Sequence, residues 1–256
     1  MRAVSKTFAS GYTALREVDL EIAPQRFVAL VGPSGCGKST ALALVAGLDR
    51  PSAGSVAVRG APVAGITAGV GLVFQRDALL PWKTVRDNVL LPLQLRGMGA
   101  GAARGLAEEW IGRVGLRGFE RSYPHQLSGG MRKRVALAQT LVYDPEIVLM
   151  DEPFSALDVQ TRDLMEGELL ALWQGSGKTI VFVTHDLEEA IALADEVVVM
   201  TAGPARVKAR YEVRLPRPRD IHAVRVAPEF TRLYAAMWND LRAEVLESYE
   251  RARTAG

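Results

Sequence analysis

The stretch Gly32-Pro33-Ser34-Gly35-Cys36-Gly37-Lys38-Ser39-Thr40 constrains this chain more than any other. An apolar run, Phe27-Val28-Ala29-Leu30-Val31, precedes it, and a helical pattern with Leu42, Leu44, Val45 and Leu48 apolar follows. Strand, glycine-rich turn and helix are the context that the phosphate-binding pattern G-x-x-x-x-G-K-[ST] requires. Glycines let the backbone curl until consecutive N–H groups face inward, and the positive end of the helix adds to their field. In such a loop Lys38 reaches the β- and γ-phosphates and the Ser39 hydroxyl ligates Mg²⁺. A chance glycine turn would not fill every fixed position between the correct flanks. The stretch is read as a nucleotide site.

Composition narrows the setting. A chain of 256 residues is long enough for one large α/β domain carrying smaller lobes. No uninterrupted apolar run approaches the ~18 residues of a membrane span. Met1-Arg2-Ala3-Val4-Ser5-Lys6 has no apolar signal-peptide core. The single cysteine, Cys36, excludes an internal disulfide and fits a reducing compartment. Inside the phosphate loop it reads as a tolerated small residue rather than a catalytic thiol. A net charge of +2 gives no argument for a nucleic-acid partner. A soluble, cytoplasmic protein is expected.

Along the chain, Val18-Asp19-Leu20-Glu21-Ile22 alternates as a strand, and Gly54–Gly60 reads as a second small β region. Val70–Phe74 reads as a buried strand ending at Gln75. From Thr84 to about Gly118 the pattern is helical: Val85, Val89 and Leu93 share one face, as do Leu106, Trp110, Ile111 and Val114. Thr84 with Asp87 forms a capping signal. This block interrupts the α/β alternation, as an inserted helical lobe would. Strands are then expected at Ile147–Met150, Thr179–Val183 and Val197–Met200, with a helix capped by Asp186 and Glu189. Strands with polar residues at their C-terminal ends imply a parallel sheet with ligands along that edge. Past Pro216-Arg217-Pro218, an amphipathic helix begins at Pro228, with Phe230, Leu233, Tyr234, Met237, Trp238, Leu241 and Val245 on one face. Packing against the main body is preferred to a partner or membrane surface, because acids interrupt the polar face.

Asp151 and Glu152 end an apolar strand, where one carboxylate can hold the Mg²⁺ water shell and the other face an attacking water. His185, at another strand tip, can sense the γ-phosphate. Leu127-Ser128-Gly129-Gly130-Met131, before a basic helix, changes the class of the answer: it resembles the signature of ABC-type ATPases. The resemblance runs across nearly the whole chain. Gln75 matches the Q-loop, Ser155-Ala156-Leu157-Asp158 the D-loop, and His185 the switch histidine. Phe8 matches the aromatic that stacks on adenine, with Tyr12 as second choice.

What the resemblance implies is specific. The fold is α/β: a phosphate-loop (RecA-like) parallel-sheet core over 1–83 and 141–215, with an N-terminal antiparallel β region. A helical signature lobe spans 84–140 and a C-terminal helical tail 216–256. ATP and Mg²⁺ are the cofactors. Glu152, His185, Lys38 and Gln75 are catalytic, and Ser39, Gln75 and Asp151 serve the metal. Phe8, Gly32 to Thr40, Ser128, Gly129, Gly130 and Asp158 bind nucleotide. Two chains form a head-to-tail homodimer in which each signature closes on the partner's ATP. Arg132-Lys133-Arg134 is read as a solvated helix face or dimer contact rather than a nucleic-acid patch.

A narrower set of features resembles the ATPase subunit of nitrate/sulfonate/taurine-type importers. It comprises Leu79-Leu80-Pro81-Trp82, Tyr123-Pro124-His125-Gln126, Met131, Asp151-Glu152-Pro153-Phe154, Gln160-Thr161-Arg162 and Pro216-Arg217-Pro218-Arg219-Asp220. Such a subunit is peripheral on the cytoplasmic face of the inner membrane. Its partners are two integral-membrane permease subunits and, indirectly, an extracytoplasmic solute-binding protein. Leu79, Leu80 and Trp82 are expected to meet the permease, or simply to pack between lobes. The alternative is a non-transport ABC ATPase acting on nucleic acid, but no coiled coil, zinc module or second cassette is present. A third class, a nucleotide-binding regulator without turnover, is opposed by intact Glu152 and His185.

Three departures carry expectations. Pro24-Gln25-Arg26 stands where the family has Pro-Gly-Glu, so a turn of different shape is expected without glycine. Gln139-Thr140 replaces Arg-Ala and removes a positive charge. Met1 begins almost on the first strand, as an internal start codon would leave it, so a short β edge is expected.

Overall fold

The computed structural model describes residues 1–75 and 78–254; the last two positions of the 216–256 tail lie outside the described residues. In chain order, the first strands are β1 (Arg2–Thr7), β2 (Thr13–Val18) and β3 (Phe27–Val31), followed by helix α1 (Lys38–Ala46). Three short strands follow, β4 (Ala53–Ser55), β5 (Ala57–Val58) and β6 (Ala61–Pro62), then β7 (Val70–Val73). Helices α2 (Val85–Leu95), α3 (Ala100–Arg113) and α4 (Gly129–Leu141) stand between β7 and β8 (Ile147–Asp151). The chain then alternates through α5 (Val159–Trp173), β9 (Thr179–Thr184), α6 (Leu187–Leu193) and β10 (Glu196–Met200). It ends with β11 (Val207–Glu212), α7 (Ile221–Arg225) and α8 (Pro228–Thr254).

One six-stranded sheet, in the order β11-β10-β3-β9-β8-β7, forms the centre. Its strands run parallel except β11, which pairs antiparallel with β10. Strand β3 shows why it is buried on both faces. Phe27, Ala29 and Val31 point into a core shared with α2 to α8, whereas Val28 and Leu30 point into a second core with α1 and the N-terminal β region. A strand that feeds two cores must be apolar at every position. The parallel order puts the C-terminal ends of β3, β7, β8 and β9 along one edge, and the residues following them line it.

The N-terminal β region is a three-stranded antiparallel sheet, β2-β1-β4. The strand expected at Val18–Ile22 lies instead at Thr13–Val18. Leu20 still exchanges backbone bonds with Met1, accepting from its amino group at 2.9 Å. The alternation of residues 18–22 therefore reads one burial face correctly, but β1 offers no further partner for a ladder. The turn at Pro24-Gln25-Arg26 also differs from expectation. Gln25 itself adopts a left-handed backbone, φ 61°, and its N–H donates to the Thr179 hydroxyl at 2.9 Å. That conformation costs an L-residue about 1–2 kcal/mol, while glycine adds back about 0.5–1 kcal/mol of unfolded-chain entropy. Gln25→Gly is thus expected to leave stability unchanged or raise it by up to about 1 kcal/mol. A lowered urea midpoint would reject that turn.

The helical expectations hold in detail. Thr84 caps α2, its hydroxyl accepting from the Asp87 N–H, and Val85, Val89 and Leu93 are buried. Trp110 and Ile111 of α3 join the same core. In α8 the buried face is Phe230, Leu233, Met237 and Leu241, whereas Trp238 and Val245 are exposed. Packing against the body therefore accounts for the first half of that face.

Each residue of the basic triplet Arg132-Lys133-Arg134, expected on a solvated helix face or at a dimer contact, has a partner within the fold. Arg132 donates to the Leu127 carbonyl, Lys133 is buried and donates to the Gln75 carbonyl at 2.6 Å, and Arg134 pairs with Glu168 at 2.8 Å. The helix start brings three cations against the neighbouring loop and α5, and each has a partner there. Leu79 is buried between the segments, while Trp82 is 71 % exposed.

Candidate active site

Gly32 to Gly37 links β3 to α1. Gly37 has φ 123°, and a Cβ there would come within 2.8 Å of the Ala14 carbonyl oxygen, so only glycine passes between β2 and the helix. Lys38 is 5 % exposed. Its ammonium donates to the carbonyls of Gly32 and Pro33 at 2.8 and 2.9 Å. A buried cation whose partners are neutral carbonyls is matched to an incoming anion. Cys36 is buried, and burial pushes its thiol above the usual range, which fits a packing role.

Ser39, one residue on, donates its hydroxyl to Asp151 Oδ1 at 2.9 Å. Burial at the end of β8 raises the Asp151 carboxyl above its ordinary range, against the opposing Ser39 bond. A hydroxyl and a carboxylate side by side, facing a phosphate cradle, are a donor set suited to Mg²⁺. That ion commonly keeps several waters and takes only one or two carboxylates plus phosphate oxygens. Among the described residues no group of three or more His, Cys, Asp or Glu side chains is disposed to hold a metal.

Glu152 follows immediately with φ 43°, a left-handed conformation unusual for a side-chain-bearing residue. Its backbone is fixed there by donation to the Val183 carbonyl and by the Ser155 hydroxyl on its own carbonyl. Strain of this kind costs on the order of 1–3 kcal/mol and gathers at functional sites. Here it turns the carboxylate toward the sheet edge. Glu152 Oε2 lies 3.2 Å from the Gln75 amide nitrogen and 3.3 Å from His185 Nδ1. Three strand ends, β7, β8 and β9, thus converge on one carboxylate able to accept a proton.

Phe8 and Tyr12 stack at 6.4 Å across the β1–β2 hairpin, and the Tyr12 hydroxyl donates to the Gly35 carbonyl at 2.9 Å. Lys6 lies 5.1 Å from the Phe8 ring centroid. Of the two sequence-expected aromatics, Tyr12 touches the phosphate loop and Phe8 stacks on Tyr12.

The signature group is elsewhere. Ser128 caps α4, its hydroxyl accepting from the Met131 N–H, and Asp158 caps α5, accepting from Thr161 N and Oγ1. Those Thr161 bonds hold the Asp158 carboxyl below its usual range. A Cβ on Gly130 would lie 2.7 Å from Thr161 Cγ2, so the two helix starts pack directly. Among the described residues no hydrogen bond joins Ser128, Gly129, Gly130 or Asp158 to Gly32–Thr40. The site residues therefore fall into two groups within one chain.

Sequence reasoning missed the supports. Arg162 joins α5 to Asp186 at 3.0 Å, and Arg219 donates to the Ala192 and Ala194 carbonyls at the end of α6. Arg217 pairs with Asp195 at 2.7 Å and lies 4.4 Å from the Trp173 ring centroid. The Pro216–Asp220 motif marked the place without showing these distant partners.

Comparison with known proteins agrees with this geometry. The ABC transporter family model matches residues 15–155. An uncharacterised ABC transporter ATP-binding protein of Methanocaldococcus jannaschii is 49 % identical over 235 residues, covering 92 % of this chain and 86 % of that protein. Taurine import ATP-binding protein TauB of Burkholderia pseudomallei is 41 % identical over 251 residues, covering 95 % and 96 %. TauB of Yersinia pestis is 45 % identical over 224 residues, covering 86 % and 88 %. Among solved structures, the dimeric post-hydrolysis state of an ATP-binding cassette bound to ADP and Pi superposes with a TM-score of 0.74 at 33 % identity, over 84 % of this chain and 98 % of that one. The chain belongs to the ABC transporter family, as one of its ATP-hydrolysing, ATP-binding subunits.

Proposed function

We propose that two copies of this chain hydrolyse ATP on the cytoplasmic face of the inner membrane and drive import of a sulfonate such as taurine through two integral-membrane permease subunits. An extracytoplasmic solute-binding protein delivers the solute. The observation that carries the reading is that Ser128 and Asp158 cap helices of their own, with no hydrogen bond among the described residues to Lys38, Ser39, Asp151 or Glu152, because a head-to-tail dimer sets the one group against the partner copy's other group. The solute class rests on the TauB relatives. No helix among the described residues is long and apolar enough to cross a membrane, which suits a peripheral subunit.

In this reading the helical segment 84–140 is the signature lobe, and Phe8 with Tyr12 flanks the adenine. Gly32–Thr40 and Lys38 bind the phosphates, and Ser39, Asp151 and Gln75 serve Mg²⁺. When bound, Mg²⁺ neutralises charge on the β- and γ-phosphate oxygens. Glu152 accepts the proton of the attacking water, while Gln75 and His185 orient its carboxylate. Ser128 and the N–H groups at the start of α4 meet the γ-phosphate of the partner's ATP. Closure on two ATP molecules and reopening after hydrolysis turn chemical free energy into motion. Nucleic-acid action loses its main support, because Arg132, Lys133 and Arg134 are all engaged within the fold.

A photo-cross-linker in place of Trp82 tests the assembly. This exposed residue follows buried Leu79 between core and lobe, and labelling should reach a polytopic membrane protein. Labelling confined to this chain would reject the docking. The solute class is tested by adding taurine-loaded binding protein to the reconstituted complex: ATPase stimulation is expected, and its absence alongside stimulation by a non-sulfonate solute would reject it.

A further inference from the structure

The tail carries a residue that reaches both helices bordering the hydrolytic edge. Arg225, the last residue of α7, places Nη1 at 2.7 Å from Asp163 and Nη2 at 2.9 Å from Glu166, both on α5. Its Nε lies 3.9 Å from Glu188 in the first turn of α6. Helix α5 begins at Asp158, and α6 begins directly after His185-Asp186.

Charge makes this bridge consequential. Asp163, Glu166, Asp186, Glu188 and Glu189 converge here, opposed by Arg162 and Arg225, with His222 at 3.8 Å from Asp163 on the exposed rim. Glu166 is 0 % exposed, and its Oε1 has no hydrogen bond among the described residues. Burial pushes its carboxyl up to about 8 against the pull of Arg225. A cavity of about 370 Å³ borders the same seam, lined by His185, Asp186, Arg225, Tyr234 and Trp238 among others. Side-chain packing therefore leaves room beside His185, and the guanidinium bonds α5 while its Nε, without a hydrogen-bond partner among the described residues, faces Glu188 of α6 as an ion pair. Arg162 and Glu189 complete the grip, Arg162 on Asp186 and Glu189 on the Thr184 hydroxyl at 2.5 Å.

We propose that Arg225 is a positioning residue for ATP hydrolysis: by joining the tail to α5 and to the first turn of α6, it keeps His185 set against Glu152. The proposal rests on the reading that Glu152 and His185 act on ATP. Losing Arg225 takes from Asp163 and Glu166 the guanidinium that both bond and from Glu188 its facing cation, and the acid-rich seam next to His185 opens. Nucleotide binding is spared, because Lys38 is held by carbonyls of its own loop and Arg225 bonds only to α5.

Three variants of the full chain test this: Arg225→Met, Arg225→Lys, and Arg225→Met combined with Glu166→Gln. Arg225→Met should lower kcat at least about tenfold while affinity for a non-hydrolysable ATP analogue stays within about twofold. The double variant removes the buried carboxyl left without its partner, so it should regain the thermal midpoint but not kcat. Arg225→Lys should recover part of kcat, because an ammonium meets Asp163 without forking to Glu166. Wild-type kcat in the double variant would reduce Arg225 to a counter-charge and overturn the proposal. So would kcat losses in all variants that match their losses of folded protein. An active Glu152→Gln chain would instead overturn the reading of the site itself, whatever Arg225 does.

Discussion

Glu152→Gln is expected to lower ATP turnover by about 10²–10⁴-fold while ATP binding persists. Glutamine keeps the shape and one acceptor oxygen within reach of Gln75 and His185, but it is a far poorer base. It also removes a negative charge that repels the γ-phosphate. With Lys38 and Ser128 unchanged, both composite sites can still close, so the variant should accumulate as an ATP-bound dimer. Adding Ser128→Arg should abolish that dimer, because a guanidinium at the α4 cap obstructs the contact with the partner's nucleotide. Size-exclusion chromatography at high protein concentration with Mg²⁺-ATP, beside a turnover assay, checks both statements. Wild-type hydrolysis by Glu152→Gln, or a dimer indifferent to ATP and to Ser128→Arg, would contradict the mechanism.

Lys38→Ala should be more damaging at the binding step. The ammonium is buried and held by two carbonyls of its own loop, so it is already dehydrated and aimed before phosphate arrives. Preorganised charge of that kind is worth on the order of 10²–10³-fold in rate. Alanine also leaves the Gly32 and Pro33 carbonyls without that donor in a buried cradle, which weakens the loop itself. Fluorescent-nucleotide titration should show weakened ATP binding, and kcat/KM should fall by about 10²-fold or more. ATPase activity within a few-fold of wild type would rule out the phosphate-loop assignment.

Much of this molecule is legible because its chemistry is contiguous. The phosphate loop, Asp151-Glu152 and Thr184-His185-Asp186 each follow a short apolar strand, and a parallel sheet necessarily brings those strand ends to one edge. The β region was read less well. Val18–Ile22 has the alternation of a strand, yet alternation cannot say where a partner strand stops, and the ladder lies at Thr13–Val18. Edge strand β11 lies outside the strands expected from sequence, although Val207-Lys208-Ala209-Arg210-Tyr211-Glu212 alternates along its length. Gln25 shows a different limit, since its left-handed turn is imposed by Thr179, far away in sequence. Lys133, Arg219 and Arg225 were invisible for the same reason. A surface-type residue reveals its burial only once its distant partner is known.

Arg219 also sets an order of events during synthesis. It is buried, its guanidinium donates to carbonyls at the C-terminal end of α6, and burial lowers its pKa to about 10. Every motif that handles nucleotide is translated before it. A nascent chain folding from its N-terminus thus holds a complete phosphate loop and Glu152 while the end of the helix behind His185 still lacks this cap. The contact that closes the end of α6 is therefore among the last that the growing chain can make.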